Sequence, residues 1–106
     1  MTGTSRRAEA LALLGLAQRA GAVVKGTDGV RQAIRRGEVR LVLFAEDGSR
    51  TQQEKVRPLA RARGVRCATL ADRGDLGAAV GSGPLAAVAV TRSSFAEELE
   101  VLLGRD

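Results

Sequence analysis

The sequence predicts an α/β fold: a four-stranded sheet, mixed or parallel, with helices on both faces. Three observations point there. Helix-like and strand-like segments alternate along the chain in the order αβαβαβαβα, the pattern of a parallel or mixed sheet covered by helices. Two strand-length runs, Arg40 to Ala45 and Leu85 to Val90, are almost wholly apolar, as expected of strands covered on both sides. Gly21, Gly37 and Gly64 stand where three helical stripes stop, the usual place for a glycine that ends a helix.

Each element has its own signals. Ser5 is placed to cap a first helix in which Leu11, Leu14 and Ala17 recur at helical spacing, with Ala10 and Leu13 on an adjacent strip. Ala22 to Lys25 is a short β-prone run. Gly26 to Gly29 turns the chain, and Thr27 is the expected cap of a second helix through Arg36, with Val30, Ala33 and Ile34 as its apolar stripe. After the Arg40–Ala45 strand, Glu46 to Ser49 is a loop. Thr51 is the expected cap of a third helix reaching Arg63, with Val56, Leu59, Ala60 and Ala62 inward; Pro58 predicts a kink or a late start. Val65 to Thr69 is a third strand. Asp72 begins a short fourth helix containing Leu76, Ala79 and Val80, and Gly81 to Pro84 is a loop. Ser93 or Ser94 caps a last helix, Phe95 to Leu103, whose Glu97 and Glu98 fall in its first turns, where the helix dipole favours acids.

The 106 residues, 44% of them apolar, suffice for a single domain spanning 1–106 that folds without staples. One cysteine, Cys67, and no histidine exclude an internal disulfide and argue against zinc. No metal or cofactor is expected. No segment reaches the ~18 apolar residues of a membrane span, and the polar start of the chain argues against a signal peptide. A cytoplasmic protein is expected.

The charge is uneven. The net charge is +5, divided as +8 over residues 1–66 and −3 over residues 67–106. A basic half is the electrostatic footprint of a protein that meets phosphate. Only Lys25 and Lys55 of the basic residues are lysine, so part of the arginine content reflects composition. Phe44 and Phe95 are the only aromatic residues, which argues against modules that stack bases on aromatic side chains. Catalytic signatures are missing: no Walker loop, no dinucleotide glycine fingerprint and no G-x-S-x-G. Without histidine a Ser-His or Cys-His nucleophile is excluded. No catalytic residue is assigned, and an enzyme is not expected.

Four segments in order carry a family resemblance: Lys25-Gly26-Thr27-Asp28-Gly29-Val30-Arg31-Gln32-Ala33-Ile34-Arg35-Arg36-Gly37, Leu41-Val42-Leu43-Phe44-Ala45-Glu46-Asp47, Leu76-Gly77-Ala78-Ala79-Val80-Gly81 and Ala86-Ala87-Val88-Ala89-Val90. From about Leu13 to Leu103 the chain resembles the L7Ae/L30e ribosomal-protein superfamily, and within it the small bacterial members of the YlxQ type. The resemblance implies a three-layer α/β/α sandwich with a mixed four-stranded sheet and helices on both faces. It also implies binding of RNA, typically a kink-turn, a sharply bent internal loop flanked by sheared G·A pairs. The contacts it implies come from the turn into the second helix, that helix's exposed face and the loop before the last strand.

Those positions here are Lys25, Gly26, Thr27, Asp28, Gly29, Arg31, Gln32, Arg35, Arg36, Pro84, Leu85 and Ala86. A helix start offers unpaired N–H groups and partial positive charge to phosphate or guanine O6. Arg31 and Arg35 share a helix face, with Arg36 and Lys25 expected to flank it. Pro84 and Leu85 form an apolar loop tip suited to unstacked nucleotides. The chain departs from the family pattern at Asp28-Gly29, where members that read kink-turns carry Asn-Glu, and at Gln32, commonly lysine. An ionised Asp28 accepts hydrogen bonds only, so it cannot donate to guanine and it repels phosphate. Structured RNA, ribosomal or otherwise kink-turn-like, is the expected partner, with a possible protein partner in a ribonucleoprotein. The alternative is a protein-interaction module that has lost kink-turn specificity, for which the acidic last helix, with Glu97, Glu98 and Glu100, would face a basic partner.

Overall fold

The computed structural model describes residues 5–104. Five helices and four strands alternate over them: α1 (Arg6–Arg19), β1 (Val23–Lys25), α2 (Thr27–Arg35), β2 (Leu41–Phe44), α3 (Arg50–Ala62), β3 (Arg66–Thr69), α4 (Arg73–Ala79), β4 (Ala87–Val90) and α5 (Ser93–Leu103). The strands form one sheet in the order β1-β4-β2-β3. β4 is antiparallel to β1 and β2, and β2 is parallel to β3. The sheet is therefore mixed, as predicted.

The period-two alternation of the strands sorts the core into two layers. Leu41, Leu43, Val88 and Val90 face one way and pack with Leu14 of α1, Leu76 of α4 and Leu99 of α5. Val42, Phe44, Ala87 and Ala89 face the other way and pack with Val30, Ala33 and Ile34 of α2 and Val56 and Ala60 of α3. Both faces of β2 and β4 are thus covered, which is why these strands are apolar throughout. Burying each Leu- or Val-sized side chain contributes roughly 1.5–3 kcal/mol.

The helix starts correct three expectations. Ser5 and Asp72 cap as read: Ser5 Oγ accepts from the Ala8 amide at 3.1 Å and Asp72 Oδ1 from the Asp75 amide at 2.8 Å. α2, however, begins at Thr27 itself, with Gly26 in the cap position at φ 85 and no side-chain cap. Thr27 is already inside the helix, so its hydroxyl cannot cap. α3 starts earlier than expected, because Ser49 Oγ accepts from the Gln52 amide at 3.3 Å and leaves Thr51 in the first turn. In α5 the cap position falls on Arg92, so neither Ser93 nor Ser94 caps, and no acid lies in the first turn. In each case the preceding loop fixes where the helix begins, and more than one nearby residue is able to stand at the cap: Gly26 before Thr27, Ser49 before Thr51, and the Ser93-Ser94 pair.

Pro58 lies inside α3 without ending it. It removes the bond its amide would make to Glu54, and both residues are exposed, where water can take the freed carbonyl. No described helix is long and apolar enough to cross a membrane.

Candidate nucleic-acid interface

β1, β2 and β3 run in the same direction, since β1 and β2 both oppose β4 and β3 parallels β2. Their C-terminal ends share one rim of the sheet, and α2, α3 and α4 all start there. Open α/β sheets bind ligands at this end of their strands. The Arg7–Glu46 ion pair, with 3.2 Å between Nη2 and Oε1, brings the start of α1 to the same rim. Four helix N-termini, each with partial positive charge, converge on it.

Backbone hydrogen bonds tie the rim together. The Gly26 amide donates to the Ala87 carbonyl at 2.9 Å, the Ala45 amide to the Ala86 carbonyl at 2.9 Å, and the Glu46 amide to the Ala71 carbonyl at 2.7 Å. Ala71 holds φ 59, the only non-glycine residue with positive φ among those described, a conformation costing alanine on the order of 1–2 kcal/mol. Its buried methyl and the bonded carbonyl hold it in place. The turn at Gly26–Gly29 and the loop at Pro84–Ala86, far apart in sequence, lie side by side.

The start of α2 is bare. The first intrahelical bond runs from the Val30 amide to the Gly26 carbonyl at 2.9 Å, so the amides of Thr27, Asp28 and Gly29 have no partner within the helix. Asp28 is exposed. Gly29 sits against β1: a Cβ there would lie 3.1 Å from Val24 Cγ1. Gln32 is exposed. Arg31 is half-buried, and its Nε is a buried polar atom without a hydrogen-bond partner.

The loop before β4 is anchored rather than free. The Ser82 amide donates to the Gly77 carbonyl at 2.9 Å and the Leu85 amide to the Arg73 carbonyl at 3.1 Å. Gly77 is buried, and a Cβ on it would run into the Gly83 carbonyl oxygen. Pro84 is exposed. Leu85 is not presented as the sequence reading expected: it is half-buried and packs on the core layer beneath α1, α4 and α5. The apolar tip is Pro84 alone, with Ala86 half-buried behind it.

Two further expectations change. Lys25 does not flank the α2 arginines. Val23 packs in the α1/α4/α5 layer and Val24 in the α2/α3 layer, so the next residue turns back. Lys25 lines a hollow with Arg19, Val80 and Gly81 on the α1/α4 side. Arg35 and Arg36 are exposed but lie at the C-terminal end of α2, about 13–15 Å along the helix from Gly26 at 1.5 Å per residue. There the Arg35 carbonyl accepts from Arg63 Nη2 at 2.9 Å. The rim thus gathers Gly26, Thr27, Asp28, Gly29, Arg31, Pro84 and Ala86, and leaves Lys25, Arg35 and Arg36 at its margins.

Arg7 and Arg73 were not anticipated at the rim. Arg73 Nε lies 3.6 Å from Asp47 Oδ2, and its amide donates to Asp47 Oδ1 at 2.8 Å. Both pairs are about half exposed, so each contributes little to stability and leaves its guanidinium accessible. For Arg73, a basic residue in the first turn of a helix that follows a strand was the available signal; Arg7, in the first helix, had none. Among the described residues no cluster of potential ligands could hold a metal.

Residues 8–100 match the model of the ribosomal protein L7Ae/L30e/S12e/Gadd45 family. The chain is 40% identical over 91 residues to the RNA-binding protein YlxQ of Bacillus subtilis (strain 168), covering 86% of this chain and 91% of that protein. A protein of unknown function from Bacillus halodurans C superposes with a TM-score of 0.85 at 27% identity, over 90% of this chain and 96% of that one. The Giardia lamblia 15.5kD RNA binding protein gives a TM-score of 0.76 at 16% identity, over 96% and 88% of the two chains, a likeness of fold alone. With 93 consecutive residues matched, from the first turn of α1 into α5, the chain belongs to the ribosomal protein L7Ae/L30e/S12e/Gadd45 family.

Proposed function

We propose that this protein is a non-enzymatic, cytoplasmic RNA-binding protein that holds a sharply bent, kink-turn-like RNA at the rim formed by the start of α2 and the loop before β4. The 40% identical relative is named an RNA-binding protein. The observation that carries the reading is the Gly26–Ala87 hydrogen bond. It holds three free amides beside an exposed proline, so that one surface combines anion capture with an apolar wedge.

The roles follow from chemistry. The amides of Thr27, Asp28 and Gly29 donate to a phosphate or to the acceptor edge of guanine. Gly26 has nothing within 4 Å of where a Cβ would stand, so RNA backbone can approach it closely. Arg31, whose Nε lacks a protein partner, pairs with phosphate. Pro84 packs against an unstacked nucleotide. Asp28 opposes these contacts, so discrimination among kinked RNAs is weaker than an asparagine at that position would give. A ribonucleoprotein with a protein neighbour is compatible with the acidic, exposed Glu97 and Glu98 on α5.

Fluorescence anisotropy with a kink-turn stem-loop RNA, and with the same RNA carrying Watson–Crick pairs in place of its G·A pairs, tests the proposal. The expected result is tighter binding to the kinked RNA and a steep loss of affinity with salt. Equal, salt-insensitive binding to both RNAs contradicts it.

A further inference from the structure

At the sheet edge remote from β1, α3 and β3 border a groove of about 380 Å³ lined by Arg57, Arg61, Gly64, Val65, Arg66 and Cys67. Half of the lining residues are arginine and none is acidic. Arg57 and Arg61 are one helical turn apart, so their charges repel across the same helix face. Neither they nor Arg66 belong to an ion pair among the described residues. Arg57 Nη2 donates to Gln53 Oε1 at 3.2 Å and its guanidinium lies 4.8 Å from the centre of the Phe44 ring. Arg66 Nη2 donates to the Gly104 carbonyl at 3.0 Å. Arg61 is exposed, and its side chain makes no hydrogen bond with a described residue. β3 pairs only with β2, so its outward amides add unpaired donors to the groove.

One charged side chain on an edge strand is enough to discourage unwanted strand pairing. The guanidinium groups of Arg57 and Arg61, with no acidic partner among the described residues, stand on the α3 side of the groove beside Val65 and Cys67 and go beyond that need; Arg66 lies on the same strand face as Ala68 and turns its guanidinium to the end of α5. Guanidinium forks match the oxygens of phosphate. No aromatic ring faces the groove to stack a base, since Phe44 is buried beneath Arg57, so the ligand is a phosphate backbone rather than a nucleobase. We infer that the groove between α3 and β3 is a second phosphate-binding site that grips the backbone of an RNA arm leaving the rim. Three inter-strand spacings, about 14 Å, separate β1 from β3, so one RNA can touch both sites. The inference rests on the RNA-binding reading above.

Two measurements on the full chain test it, both with a kink-turn stem-loop RNA extended by a duplex arm. The first is the salt dependence of binding for wild type, Arg61→Gln and Arg57→Gln/Arg61→Gln. Each lost phosphate contact lowers the slope of log affinity against log salt by about 0.9, so slopes lower by about one and about two units are expected. The second is the rate at which iodoacetamide alkylates Cys67, the only thiol in the chain. The reaction is run above neutral pH, because burial raises the thiol's pKa and Arg57 and Arg61 offset this only in part. Saturating RNA should slow alkylation at least several-fold. Unchanged slopes with unchanged alkylation overturn the second site. The Arg61 side chain makes no bond with a described residue, so Arg61→Gln should fold even if the double variant does not, and it then carries the test. The two readings fail separately. If Gly26→Ala and Arg31→Met abolish binding while the groove variants do nothing, the groove proposal falls and the rim stands. If the groove variants abolish binding while the rim variants do nothing, the rim reading falls.

Discussion

Gly26 donates its amide to the Ala87 carbonyl at 2.9 Å while holding φ 85. One residue thus opens α2, fixes the register between the β1 and β4 ends, and leaves the next three amides free. Only glycine adopts this backbone without strain. There is open space where a Cβ would stand, so substitution costs backbone strain and nothing else.

Gly26→Ala should therefore destabilise the fold by about 1–3 kcal/mol, read as a lower urea midpoint with an unchanged m-value. RNA affinity should fall further than stability does, because the strained turn rotates the amides that face the ligand. Measuring both on the same variant separates the two effects.

Arg31 presents the opposite balance. A buried unpaired donor costs roughly 1–3 kcal/mol, and the Nε of Arg31 is such a donor. Arg31→Met keeps the stem and removes the orphan. The variant should melt at a temperature equal to or above wild type, yet bind RNA with a salt slope smaller by about 0.9. A lower melting temperature with an unchanged slope would mean that Arg31 serves the fold.

Asp28→Asn with Gly29→Glu introduces the pair that the family resemblance associates with kink-turn reading. Affinity for a standard kink-turn should rise, since the asparagine amide donates where Asp28 repels. The glutamate Cβ would meet Val24 Cγ1 at 3.1 Å, tight enough that Val24 must shift. A small loss of thermal stability should accompany the gain, and Asp28→Asn alone should give part of the affinity without it.

Gly77→Ala tests the anchoring of the loop before β4. The added methyl has no room under Gly83 and Pro84. Overpacking of this kind costs typically ~1–3 kcal/mol. The variant should unfold at lower denaturant and, because Pro84 is pushed outward, bind RNA less tightly. Wild-type affinity in a destabilised variant would show that Pro84 takes no part in binding.

The layers were legible in the sequence because two physical signals repeat. Leu41-Val42-Leu43-Phe44 and Ala87-Val88-Ala89-Val90 are apolar on both faces, and only a doubly covered strand needs that. Ser5 and Asp72 were legible as caps because each is followed at once by helical periodicity. Thr27, Thr51 and Ser93 misled because a cap is chosen by where the preceding loop releases the chain, and each has a neighbour equally able to stand there. The site was legible in part. Gly26 to Gly29 and Pro84 could be named, but their adjacency depends on β4 inserting between β1 and β2, a pairing no local signal encodes. Leu85 read as exposed because an apolar residue beside a proline in a loop looks like a tip; its burial follows from the anchoring of that loop on α4. Lys25 was misplaced because a three-residue strand gives too short an alternation to assign its faces. Arg7 and Arg73 escaped notice because their place at the rim depends on loop contacts with Glu46 and Asp47.

The most direct measurement is a two-dimensional amide NMR titration of the labelled protein with a kink-turn stem-loop RNA. The largest shifts should fall on Gly26 to Gly29 and on the loop from Gly81 to Ala86, where free amides meet the ligand. Shifts concentrated on α5, with Gly26 to Gly29 unmoved, would contradict the assignment of the rim as the RNA-binding surface.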